Sequence, residues 1–177
     1  MAQTSAPIYL IGGVPRSGKS ILARKLYDNK HIPFLSTDIL RFMLEKRLTD
    51  DYFQVTDKPF ESHDTTRSKY VYPYLESFIK TLLRFSETGF TLEGVNLTPK
   101  LLSIFADNRH VRSLYLGFAD ANLSEKYQSL KNHQSTHDWT SEYTDAELKG
   151  LVRRKIIKSS RMRRECRKYG IEPTPSA

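Results

Sequence analysis

Apolar positions along this chain follow two rhythms. Ile8-Tyr9-Leu10-Ile11 form a continuous run closed by Gly12-Gly13, which has the length and continuity of a strand buried on both faces, as in parallel sheets. From Lys19 the spacing changes: Ile21, Leu22 and Leu26 recur at helical intervals, and Asp28-Asn29 supply a stop. Phe34-Leu35 make a second short strand. It ends in Ser36-Thr37-Asp38, three N-cap candidates ahead of a helical stretch from Ile39 to Arg47. Thr49 to Thr66 is polar, contains Pro59 and holds no period, which predicts a long loop. Helical spacing returns from Tyr70 to Phe85, with Pro73 in the first turn and Gly89 closing the element.

Phe90 to Leu97 reads as a third strand, Pro99 opens a helix to about Asp107, and Val111 to Leu116 reads as a fourth strand interrupted by Arg112 and Ser113. Strands alternating with helices predict an α/β fold with a mainly parallel sheet of four to five strands. Ala119 to Tyr143 is polar, carries Trp139, and predicts a lid or excursion over the site (119–143). Thr144 to Tyr169 is the longest helix. Thr144 and Glu147 have capping-box spacing, Leu148, Leu151, Val152, Ile156 and Met162 share a face, and Gly170 ends it. Glu172-Pro173-Thr174-Pro175 is poor strand material. Residues 171–177 are therefore expected to be an irregular tail, leaving the sheet without its fifth strand.

A length of 177 residues suits a single domain, 1–177. The lone Cys166 has no internal partner, no secretory signal is visible, and no apolar run reaches the roughly 18 residues needed to span a bilayer. The expectation is a reducing, cytoplasmic setting away from membranes. The net charge of +8 points to anionic partners without choosing among nucleotides, phosphorylated metabolites and nucleic acid. Its distribution is uneven, with nine Lys or Arg residues between Arg153 and Lys168.

Between the first strand and the first helix lies Gly13-Val14-Pro15-Arg16-Ser17-Gly18-Lys19-Ser20, the pattern G-x-x-x-x-G-K-[ST]. Its glycines let backbone N–H groups turn onto a β-phosphate, its lysine reaches the β- and γ-oxygens, and its hydroxyl ligates Mg²⁺. The helix beginning there directs its positive end at the same anion. Gly13 through Ile21 are thus candidate nucleotide-binding residues, with Lys19 catalytic and Ser20 a metal ligand.

In open parallel sheets ligands bind beyond the carboxyl ends of the strands. Asp38 and Glu93 hold such places after the second and third strands. Glu93, within an apolar strand, calls for a metal or a charge partner, and we assign it to Mg²⁺. Asp38 is assigned to orient or deprotonate an acceptor hydroxyl. The competing readings are a plain helix cap for Asp38 and a salt-bridge member for Glu93. Arg41 lies one turn after Asp38 and suits an acceptor bearing phosphate or carboxylate, if it is not merely a solvated arginine.

Gly12–Ser20, Ser36-Thr37-Asp38-Ile39-Leu40-Arg41 and Leu92-Glu93-Gly94-Val95-Asn96-Leu97-Thr98-Pro99 together resemble the P-loop small-molecule kinases grouped with 2-phosphoglycerate kinase and the zeta-toxin-like kinases. The resemblance implies a three-layer P-loop NTPase core with helices on both sheet faces and a helical lid. It implies ATP and Mg²⁺ as cosubstrates, transfer of the γ-phosphoryl group to a small acceptor, and Asn96 in the acceptor site. It also implies basic lid residues at the phosphoryl, for which Lys126, Lys131, Arg153, Arg154 and Arg161 are candidates, Arg153 and Arg154 foremost. Alternatives are a polynucleotide or RNA-end kinase, whose phosphate backbone the basic helix would track, and a nucleotide-binding regulatory module of little turnover.

Other features have ordinary readings. His133 and His137, four apart, are read as polar lid residues and not metal ligands. Cys166 sits on a basic helix that favours a thiolate, but has no partner His. Tyr70, Tyr72, Tyr74 and Phe78 are read as core cover.

Overall fold

The computed structural model describes residues 6–45, 64–134 and 140–175. Five strands form one parallel sheet: β1 (Ile8–Gly13), β2 (Phe34–Ser36), β3 (Phe90–Gly94), β4 (Val111–Gly117) and β5 (Pro173–Pro175), in the order β2-β3-β1-β4-β5. β1 lies at the centre, with Leu10 level with Leu92 on one side and Ser113 on the other. A strand paired on both edges and covered on both faces must be apolar throughout, which accounts for its unbroken run. Alternation sends Ile8 and Leu10 to one face and Ile11 to the other.

The helices divide between those faces as right-handed crossovers require. The chain moves from β1 outward to β2, and its α1 (Lys19–Lys30) covers Ile11 and Leu116 with Ala23. Every later connection runs back the other way across the sheet. Accordingly α3 (Asp64–Phe85), α4 (Pro99–Ser103) and α6 (Asp145–Lys168) cover the opposite face, where Val71, Leu75, Ile79, Leu101, Leu102 and Cys166 pack on Ile8, Leu10 and Leu92. The result is the expected α/β architecture in three layers. α2 (Thr37–Glu45) follows β2 directly and packs Leu40 and Leu44 on the core of Ile8, Leu10 and Leu92, whereas α5 (Leu123–Asn132) packs on α6.

Several local expectations change. Of the loop expected over Thr49–Thr66, residues 49–63 lie outside the described residues, and 64–66 open α3. Pro73 is consequently inside α3 and not in its first turn. The 119–143 segment contains a helix, α5. Asn122 caps it by accepting from the Ser124 and Glu125 N–H groups, and its apolar residues Leu123, Tyr127 and Leu130 lie at helical spacing against α6. Trp139 and His137 lie outside the described residues.

The tail is the clearest correction. Pro173-Thr174-Pro175 is a fifth strand, with Thr174 level with Leu116 of β4. Prolines are tolerated on an edge because alternate residues turn their N–H away from the neighbouring strand. Thr174, between the two prolines, keeps an N–H for pairing with β4.

Thr144 and Glu147 form the expected capping box at the start of α6, with Glu147 Oε2 accepting from Thr144 N–H at 2.8 Å and Thr144 Oγ1 from Glu147 N–H at 3.3 Å.

Candidate functional site

The loop from Gly13 to Gly18 leaves the centre of the sheet and turns directly into α1. Two backbone bonds set its path: Val14 N–H to Leu116 O at 3.1 Å, and Ser17 N–H to Val14 O at 3.3 Å. Gly18 caps α1 with φ 83, a left-handed conformation that glycine adopts without a Cβ clash. Arg16 takes φ 67 without that freedom. At the end of β3, Gly94 allows the start of α2 to close in, since a Cβ there would lie 1.8 Å from Thr37 Oγ1.

These turns frame a cleft of about 1050 Å³. Pro15 to Ile21 line its floor, with Gly13 and Val14 buried beneath them. Glu93, Asn96, Asp38, Arg41 and Phe42 line one wall, and Lys126, Ser129, His133, Arg154 and Lys155 the other. The glycine-rich loop and both strand-end carboxylates thus share one space.

Lys19 is almost fully buried, and its Nζ donates to Val14 O at 2.8 Å. Burial pulls its pKa down to about 8, while the negative charges of Glu93 and Asp38 act in the opposite direction. Glu93 is 5% exposed. Asn96, also buried, directs its Nδ2 to Thr37 Oγ1 at 3.4 Å and Asp38 Oδ1 at 3.5 Å. Arg41 Nε lies 4.0 Å from Asp38 Oδ1, and its guanidinium sits 4.0 Å over the Phe42 ring. Asp38 N–H donates to Ser36 Oγ at 3.3 Å. Ser36 therefore performs the capping that Asp38 could have performed, and the Asp38 carboxylate faces the cleft.

Ser20, exposed in the first turn of α1, and Glu93 are oxygen donors within this space. Among the described residues no group of three or more His, Cys, Asp or Glu forms a metal cage. A hydroxyl and one carboxylate beside a phosphate loop fit Mg²⁺, which keeps the rest of its shell from phosphate oxygens and water. Ser17 Oγ, buried and without a hydrogen bond inside the loop, adds a polar group suited to an anion.

On the far wall Lys126 lies 4.7 Å over the Phe118 ring, and burial lowers its pKa. Arg154 lines the cleft and Arg153 does not, because successive helical residues diverge by about 100°. Lys131 turns aside to Asp145 at 2.7 Å, and Arg161 is exposed outside the lining. His133 lines the cleft with Nδ1 against Ser129 O at 2.7 Å.

Sequence reasoning missed Lys155, which is 4% exposed and lines the cleft. The signal was present. Residue 155 continues the Leu148, Leu151, Val152 stripe, where a lysine is unusual. Cys166 is the small helix residue expected, though without the thiolate character that a basic helix would favour. It is fully buried, and burial with the charge of Glu165 pushes its thiol up to about 12, so a thiolate is disfavoured. A second cavity of about 470 Å³ lies at the ends of β4 and β5, but its Asp120 and Arg163 are engaged with each other and it has no phosphate loop.

No family model matches the sequence, and no curated protein matches it. Solved structures do. A gluconokinase from Sinorhizobium meliloti 1021 is 15% identical with a TM-score of 0.52, over 97% of this chain and 83% of that one. A shikimate kinase from Bacteroides thetaiotaomicron is 13% identical with a TM-score of 0.51, over 90% of this chain and 82% of that one. The chain shares the fold of these two structures. An uncharacterized protein from Eubacterium ventriosum ATCC 27560 shares it at 15% identity and a TM-score of 0.51, over 92% of this chain and 77% of that one. No helix among the described residues is long and apolar enough to cross a membrane.

Proposed function

We propose that this protein is an ATP-dependent phosphotransferase that moves a γ-phosphoryl group to a hydroxyl of a small anionic metabolite, of the kind its 2-phosphoglycerate-kinase-like motifs suggest. The observation that carries the reading is the single cleft lined by Lys19, Glu93, Asp38, Asn96 and Arg41. Its volume of about 1050 Å³ admits a polyphosphate and a small acceptor together.

Phosphoryl transfer needs positioning and charge stabilisation more than covalent chemistry. Lys19 exchanges Val14 O for the β- and γ-phosphate oxygens, where its ammonium stays charged. Ser20 and Glu93 would hold Mg²⁺, which would supply charge neutralisation at those oxygens. Asp38 accepts the proton of the attacking hydroxyl, held in place by Asn96. Arg41 pairs with the anionic group of the acceptor. Lys126, Arg154 and Lys155 face the phosphoryl from the lid side and offset the charge that spreads over its oxygens in the transition state.

Incubation with γ-labelled ATP and a pool of small acids and sugars tests the reading. Label on a small acceptor, lost in Lys19→Ala, supports it; transfer that survives Lys19→Ala removes it. A second acceptor class is favoured by the exposed Arg153, Arg161, Arg164, Arg167 and Lys168 on α6. Label on oligonucleotide ends would select that reading. The module of little turnover rested on an absent fifth strand, and β5 removes that ground.

A further inference from the structure

Arg16 does something that the phosphate loop alone does not require. It holds a left-handed backbone, φ 67, which glycine or asparagine would take more easily. Its side chain makes a long-range contact: Nη2 donates to Thr140 Oγ1 at 2.8 Å, between residues 124 apart in the chain. Arginine has no acceptor, so the threonine oxygen must accept. Thr140 is 1% exposed, which keeps water from competing for this bond.

Thr140 is a junction. Gln134, just after α5, donates its Nε2 to Thr140 O at 2.8 Å and to Oγ1 at 3.1 Å. Tyr143 N–H, on the approach to α6, donates to Thr140 O at 3.1 Å. α5 and α6 are themselves joined by a hydrophobic cluster of Tyr127, Leu148, Leu151 and Val152, separate from both sheet cores. At its far end α6 is fixed to the end of β4, where Phe118 N–H donates to Ser159 Oγ at 3.0 Å and Arg163 pairs with Asp120. Arg16 ties the near end of the same two-helix unit to the phosphate loop.

We propose that Arg16 is a positioning residue: through Thr140 it docks the α5–α6 unit on the phosphate loop, so that Lys126, Arg154 and Lys155 stand at fixed distance from whatever the loop holds. This rests on the phosphate-binding reading of the loop for its purpose, though not for its geometry. A loop residue that also sets the lid makes the placing of the lid cations and the shape of the loop one event. A misplacement of about 1 Å at such cations is enough to slow transfer strongly.

The test compares Arg16→Gln, Thr140→Val and Thr140→Ser. Hydrogen exchange of residues 123–134 is read in the ligand-free protein, and ATP affinity and kcat are read separately. Thr140→Val keeps the Arg16 charge and removes the Oγ1 acceptor that Arg16 shares with Gln134 Nε2, whose second bond, to Thr140 O, is kept. It should raise exchange across α5 as much as Arg16→Gln does, with no further rise in the double variant. Its kcat should fall about tenfold or more while ATP affinity stays within about threefold. Thr140→Ser, which restores the hydroxyl, should return both to the parent values.

The proposal is overturned if Thr140→Val matches the parent in exchange and kcat while Arg16→Gln alone loses ATP affinity, because Arg16 would then be a direct phosphate ligand. It is overturned equally if Thr140→Ser behaves as Thr140→Val does, since the methyl and not the hydroxyl would matter. Absence of ATP binding by the parent protein would instead remove the phosphate-loop reading, and the exchange comparison would still decide the docking contact.

Discussion

The two walls of the cleft place their charges by different means. On the loop side, Lys19, Ser20, Glu93 and Asp38 sit on or beside strand ends, where the backbone of the buried sheet fixes them. On the lid side, Lys126, Arg154 and Lys155 are long side chains on two helices that have a small core of their own and join the loop through Arg16 and Thr140. The first wall is rigid because the central sheet is; the second is only as well placed as its docking. Loop-side changes should therefore act on the chemical step outright. Lid-side changes should act through geometry, with smaller and graded effects.

The largest expected effect tests that division directly. Lys19→Ala should lower phosphoryl transfer by about 10³-fold or more, since an interaction with charge developing in a water-poor site is lost. Thermal stability should hold or rise, because a lysine that burial disfavours has been removed. A rate loss accompanied by unfolding would mean that Lys19 is structural, and the loop wall would lose its distinct role.

The core beneath each wall gives the next effect. Leu92 is fully buried in β3 between the sheet and the α3–α4 layer, and Leu92→Ala should cost about 3–5 kcal/mol in denaturant unfolding. Leu151→Ala, in the smaller α5–α6 cluster, should cost about 2 kcal/mol because its neighbours can relax toward the cleft. Equal costs would show that the lid unit is as firmly built as the sheet.

How far each wall was legible follows from the same contrast. β1, the loop and α1 form one continuous segment, so the apolar run, the glycines and the helical spacing after Lys19 specify that unit locally. Thr144 and Glu147 were legible for the same reason, a cap being made within one turn. What could not be read is contact across the chain. Lys155 becomes significant only once α6 is known to turn that face to the cleft. Arg16 and Thr140 meet over 124 residues, and Pro173 and Pro175 suit a strand only after β4 is seen to offer an edge. Polarity did not give the bounds of α5, because a helix that packs a few residues on one neighbour needs few apolar positions.

On the lid wall, Lys155→Met should lower kcat about tenfold and Arg154→Met by a similar factor, whereas Arg153→Met, pointing outward, should stay within about twofold. Steady-state kinetics with ATP and the identified acceptor decide this. A loss at Arg153 equal to that at Arg154 would mean that α6 rotates on binding, and the docking of this wall would differ from the ligand-free arrangement.

The smallest effect is a pH dependence that Lys19 gives the loop wall. With the Lys19 pKa at about 8 in the ligand-free fold, the ammonium that a polyphosphate requires is present below that value and is lost above it. ATP affinity, measured by calorimetry, should be level up to about pH 7.5 and roughly fourfold weaker by pH 8.5 from this group alone. Lys19→Arg, charged throughout, should remain flat over the same range. Folding responds with the opposite sign. Between about 8 and the ordinary lysine value of 10.5 the unfolded chain holds a proton that the folded chain has released, so stability rises with pH across that window. Below it, both states are protonated and the full cost of burying the charge remains. The difference in stability between the parent and Lys19→Met should accordingly shift in favour of the parent from pH 7.5 to pH 10. A difference that does not change with pH would mean that the lysine keeps its proton, and that the strand-end carboxylates, not burial, govern the loop wall.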